Sequence, residues 1–147
     1  MFKKLLVPVD GTEVSERAIQ QAVDLAKQLG AQITGYVVEA LPALPSMGTH
    51  LPTYQREVKT HEAKTEAHAR QVLAHFAEAA AAAGVPFDGQ YDRNDDVAGA
   101  IAGAADRHGC DMIVMATHGR GAFGEMLFGS QTKRVLTLSK RPLLVLH

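Results

Sequence analysis

Apolar positions along this chain form short solid runs that alternate with stripes at helical spacing. Residues 4–9 form one such run, read as a buried strand. Thr12 follows as a helix cap, with Glu13 and Glu16 in the first turn, where carboxylates suit the helix dipole. Ala18, Ile19, Ala22, Val23, Ala26 and Leu29 make one apolar stripe, and Gly30 ends that helix. Residues 33–38 are a second strand. Residues 41–52, with three prolines and one glycine, read as a loop. The stretch 53–83 reads as one long helix closed by Gly84, its alanine-rich end having high helix propensity.

The second half repeats the alternation. Residues 87–91 alternate weakly around Gly89 and are predicted to be an edge strand. Asn94 or Asp95 caps a helix with Val97, Ile101, Ala104 and Ala105 on one face. Residues 111–116 are the most apolar run. A helix from Ser130 to Ser139 and a last strand, 143–146, complete the pattern. Strands alternating with helices in this way predict a parallel sheet covered on both faces, within one domain. In such sheets ligands sit beyond the carboxyl ends of the strands, where the winding reverses.

Composition narrows the choice of partner. Fifteen basic residues stand against 16 acidic ones, so no broad electrostatic attraction to nucleic acid or anionic lipid is expected. A single cysteine, Cys110, excludes an internal disulfide and is read as a packed small residue. The apolar run at the N-terminus is too short for a signal peptide, and no segment approaches the roughly 20 apolar residues that span a bilayer. A cytoplasmic location is the expectation.

The chemistry concentrates after the fourth strand. Met115-Ala116-Thr117-His118-Gly119 is followed by nine residues and then Gly129-Ser130, where the last helix starts. Glycine lets backbone approach a ligand closely, and a helix start offers free N–H groups and partial positive charge. Together they suit an anion, most often phosphate. Asp10, at the end of the first strand, is either a ligand- or metal-facing carboxylate or a local cap. Arg120 is a phosphate contact or a loop charge. His118 has no evident acid–base partner. His61, His68 and His75 recur every seven residues, roughly 10.5 Å along a helix. That is too far apart for one metal, whose histidine nitrogens lie about 2 Å from it, so they read as a solvated or dimer-facing stripe.

At these residues the chain resembles the universal stress proteins, a family with the adenine nucleotide α-hydrolase-like fold. The resemblance runs over nearly the whole chain, from Lys3-Lys4-Leu5-Leu6-Val7-Pro8-Val9-Asp10-Gly11 to the closing Lys140-Arg141-Pro142-Leu143-Leu144-Val145-Leu146. The family's ATP-binding members carry glycine, two residues, glycine, nine residues, glycine, then serine or threonine. Gly119, Gly129 and Ser130 match, while Ala116 stands at the first glycine. The resemblance implies an open five-stranded α/β sheet of order 3-2-1-4-5 and ATP between strands one and four. It places Pro8, Val9 and Asp10 along the nucleoside and the backbone of Val37 or Val38 at the adenine. Met115, Ala116, His118, Gly119, Arg120, Gly129, Ser130, Gln131 and Thr132 surround the phosphates. It further implies Mg2+ or Mn2+ bridging the phosphates, with Asp10 as its protein contact by way of the bound nucleotide, and a homodimer joined through Leu143, Val145 and the last strand. Where the family often has Gly-x-Pro, this chain has Asp95-Asp96-Val97, two carboxylates that would repel phosphate without a metal.

Three functions are compatible with this pattern. A regulatory ATP-binding protein of the stress response leads, because the phosphate-type turn has neither a catalytic set nor a Walker lysine. A slow ATPase or nucleotide hydrolase would have to use Asp10, His118, Asp95 or Asp96. A dimeric interaction module without nucleotide is the third.

Overall fold

The computed structural model describes residues 1–117 and 129–147. Its elements run β1 (Lys4–Pro8), α1 (Glu13–Leu29), β2 (Gln32–Glu39), α2 (Leu51–Ala83), β3 (Phe87–Arg93), α3 (Val97–Arg107), β4 (Met112–Ala116), α4 (Ser130–Leu138) and β5 (Leu143–Leu146). The strands form one five-stranded sheet of order β3-β2-β1-β4-β5, with every pairing parallel. The winding therefore reverses between β1 and β4, as the family resemblance implied.

Strand periodicity divides the core between the two faces. Leu5 and Val7 of β1, Ile33 and Val37 of β2, and Met112 and Val114 of β4 point to one side, where α1 and α2 cover them. Leu6, Tyr36, Ile113 and Met115 point to the other, under α3 and Val135 of α4. Gly35 is required by packing. A Cβ there would lie 2.6 Å from the ring of Phe87, which stacks at 4.8 Å on Phe76.

Local signals mostly set the boundaries. The Thr12 side chain accepts a bond from Ser15 N at 3.3 Å, and Gly30 takes a left-handed conformation (φ 63°) to close α1. Two expectations shift. Helix α2 starts at Leu51, inside the expected loop, because Pro52 falls in its first turn, where proline loses no helical bond. Helix α3 is capped by Asp96, which accepts from Gly99 N at 3.2 Å. Asn94 instead accepts from Asp96 N, and Asp95 from Leu41 N.

Candidate functional site

The strand ends at the β1/β4 reversal leave a cavity of about 430 Å³, within the ordinary size range of small-molecule sites. Pro8, Val9, Asp10, Val38, Met115, Ala116, Gly129, Ser130, Gln131 and Thr132 line it, bringing together residues singled out from three distant stretches. His118, Gly119 and Arg120 lie outside the described residues. Val37 does not line the cavity: its side chain is buried in the α1/α2 core, because alternate residues of β2 face opposite ways. Sequence reading missed Tyr36 on β2 and Val97 and Ile101 on α3. Their i, i+4 spacing marked Val97 and Ile101 as an apolar face, but no sequence signal said that this end of the face reaches the crevice.

The apolar wall has an unused polar edge. Gln32 N bonds to Lys3 O and Val9 N to Tyr36 O, so the even residues of β2 direct their backbone groups toward β1. Ile33 N and Glu39 O bond on the β3 side, to Pro86 O and Asn94 N. By this alternation Val38 turns its N–H and C=O toward β1. The register of β1 on β2 stops at Pro8↔Tyr36, and the chain then turns into α1. One donor and one acceptor are left side by side at the cavity edge.

The opposite lip is the start of α4. No side chain caps this helix, so among the described residues its first N–H groups have no protein partner. Gly129 sits there with φ −53°, open to any residue, and a Cβ would meet only Thr132 Oγ1 at 3.9 Å among the described residues. The fold around Gly129 does not itself demand glycine, so the open space beside it is available to a ligand.

Charges around the cavity are already engaged. Asp10 Oδ1 accepts from Thr12 N (3.0 Å) and Thr12 Oγ1 (2.7 Å). Its other oxygen has no partner among the described residues. Asp95 and Asp96 do not line the cavity. Asp96 caps α3 and pairs with Arg134 of α4 at 3.0 Å, which removes much of the repulsion expected from this carboxylate pair. Beneath the cavity, fully buried Tyr36 donates to Asp92, and Arg107 meets the same carboxylate at 2.7 Å. Burial first, and the Asp92 hydrogen bond second, push the Tyr36 hydroxyl well above the usual phenol range. No group of three or more His, Cys, Asp or Glu among the described residues is arranged to hold a metal ion. No helix among them is long and apolar enough to cross a membrane.

The fold agrees with that of known proteins. The family model described as "Universal stress protein family" matches residues 1–147. The universal stress protein YxiE of Bacillus subtilis is 31% identical over 151 residues, covering all of both chains. Among solved structures, a universal stress protein in complex with cAMP superposes with a TM-score of 0.69 at 20% identity, covering 99% of this chain and 97% of that one. The universal stress protein of Archaeoglobus fulgidus in complex with dAMP gives 0.66 at 18% identity, covering 99% and 98%. With the family model spanning every residue and the fold shared, the chain belongs to the universal stress protein family.

Proposed function

We propose that the cavity binds an adenine nucleotide, ATP in the first instance, and that the chain works as a single-domain, nucleotide-responsive regulatory protein of the stress response in the cytoplasm. The observation that carries this reading is the pair of free polar edges at opposite ends of one apolar cavity. The N–H and C=O of Val38 match the acceptor N1 and donor N6 of an adenine edge. Val97, Ile101 and Tyr36 supply apolar walls for the ring. The uncapped start of α4, at Gly129 and Ser130, suits phosphate oxygens. Relatives with this fold that bind cAMP and dAMP support the choice of an adenine ligand.

A divalent ion, Mg2+ or Mn2+, fits as a companion of the phosphates. It would take phosphate oxygens and the free oxygen of Asp10, both hard donors, and would supply charge neutralisation. The chain's own part is to orient the base and hold the phosphates.

The assembly proposed is a homodimer through β5. This strand is a sheet edge, Leu143–Leu146 are only half-buried, and Leu136 and Leu138 of the neighbouring α4 are exposed. An edge of this kind invites pairing with a second copy.

The test is the small-molecule content of protein purified without added nucleotide, denatured and analysed by chromatography and mass spectrometry. Calorimetric titration with ATP and magnesium follows. Near-stoichiometric ATP or ADP, or a micromolar dissociation constant, is the expected result. An empty protein that also fails to bind at millimolar ATP overturns the reading and favours a nucleotide-free dimer module.

A further inference from the structure

The histidines of α2 form a partly solvated stripe whose rings also hold protein partners. Each ring reaches a different part of the body. His61 Nε2 lies 2.8 Å from Ala40 O, His68 Nδ1 2.6 Å from Glu39 Oε1, and His75 Nε2 2.6 Å from Glu16 Oε1. A carbonyl only accepts, so His61 donates through Nε2. The other face of the His68 ring packs against the β1–α1 turn, where a Cβ on Gly11 would sit 3.1 Å from Nε2. Gly11 adjoins Asp10, which lines the cavity.

These bonds matter because α2 is held unevenly. Its buried positions are Thr65, Ala69, Val72, Phe76 and Ala80, so its first turns bury no side chain fully. Besides His61, that part of the helix is tied by Arg93 of β3, which donates to Thr65 Oγ1 and Glu62 O.

We propose that His75 forms a proton-operated clamp with Glu16, which tightens α2 against α1 as the surroundings acidify from alkaline toward about pH 6. The groups facing each ring set the sign. His75 meets Glu16 from α1 and has Glu78 on its own helix. His68 meets Glu39 from β2 and the Gly11 backbone, with Lys64 one turn before it on its own helix. The Asp10 carboxylate nearby is bound to Thr12, and Arg93 is turned onto Thr65 and Glu62 O.

The hydrogen bond that His75 donates to Glu16, and then the Glu16 charge, raise the His75 imidazole above its ordinary range. A histidine raised on folding contributes its full stability below its unfolded value, about 6.5, and loses it as pH climbs through the folded value. Protonation of the His75 ring therefore turns a neutral hydrogen bond into an ion pair across α1 and α2.

Hydrogen exchange of the full chain, read by mass spectrometry at pH 8.5 and 6.0 and corrected for intrinsic rates, tests this. Exchange in α2 is expected to slow roughly two- to five-fold relative to α3 on acidification, the size appropriate to half-exposed ion pairs. His75→Gln keeps a donor without the charge and should abolish the difference. His61→Gln, facing only a carbonyl, should preserve it. An α2-to-α3 ratio that does not change with pH, or a His75→Gln variant that keeps the pH effect, overturns the clamp. A nuclear magnetic resonance titration gives a second readout: the His75 midpoint should lie above 6.5 and fall in Glu16→Gln. A midpoint insensitive to Glu16→Gln also overturns it.

Discussion

The Tyr36 hydroxyl lies 2.5 Å from Asp92 Oδ2, so a fully buried phenol on the central part of the sheet is tied to the edge strand. Arg107, at the far end of α3, holds the same carboxylate. The chain thereby fixes β2, β3 and α3 to one another just below the cavity. Tyr36→Phe removes a hydrogen bond to a charged acceptor and leaves the Asp92–Arg107 pair in place. The expected loss is about 1.5 kcal/mol, seen as a lower urea midpoint with an unchanged slope. The raised hydroxyl value adds a pH signature. Unfolded Tyr36 ionises near pH 10 while folded Tyr36 stays protonated, so stability from this group is full below about pH 10 and falls above it. A wild-type stability curve without that alkaline decline relative to Tyr36→Phe contradicts the account.

Gly35→Ala tests the crossing of Phe76 and Phe87 over β2. The added methyl meets the Phe87 ring at 2.6 Å and Phe76 at 3.3 Å, so one ring must leave its position. Overpacking of this kind costs about 1–3 kcal/mol. Chemical denaturation should show that loss; a variant as stable as the parent would mean that the rings yield freely.

Cys110 is fully buried, and burial raises its thiol above the usual range. Both effects suppress the thiolate that reacts with disulfide reagents. Ellman's reagent should label the native protein at least a hundred-fold more slowly than the urea-unfolded chain. Rapid native labelling would show that the end of α3 opens readily.

Val38→Pro separates the base edge from the rest of the cavity. Proline removes the Val38 N–H, which points to the side that β1 has vacated, so no ladder bond is lost. Adenine nucleotide affinity by calorimetry should drop at least ten-fold with melting temperature nearly unchanged. Equal affinity in the two proteins would remove Val38 from base recognition.

Much of this was legible in the chain, for identifiable reasons. Helix α1 carried its own limits: Thr12 as cap, Gly30 as stop, and an apolar stripe between them. Asp10 and Gly129 could be placed on one side of the sheet because parallel winding brings strand ends there, and the family resemblance made their strands neighbours. What the chain concealed depended on parity and reach. Strand β2 is apolar on both faces, so nothing in its sequence told Val37 from Val38. Register decided that, through the bonds at Gln32 and Tyr36. The α2 histidines were legible as a solvated stripe but their partners were not, because a seven-residue spacing fixes a face but not the neighbour it meets. Glu16 lies 59 positions away from His75.

Where β1 bends away after Pro8, the sheet loses one rung beside Val38. Whatever flat polar molecule settles there takes the place of a missing stretch of backbone and extends the β1–β2 ladder by one non-peptide rung. A seat of that kind is read by main chain, so exchange of Val38 for another extended residue leaves the pattern of donor and acceptor intact. A shift of β2 by a single residue would erase it.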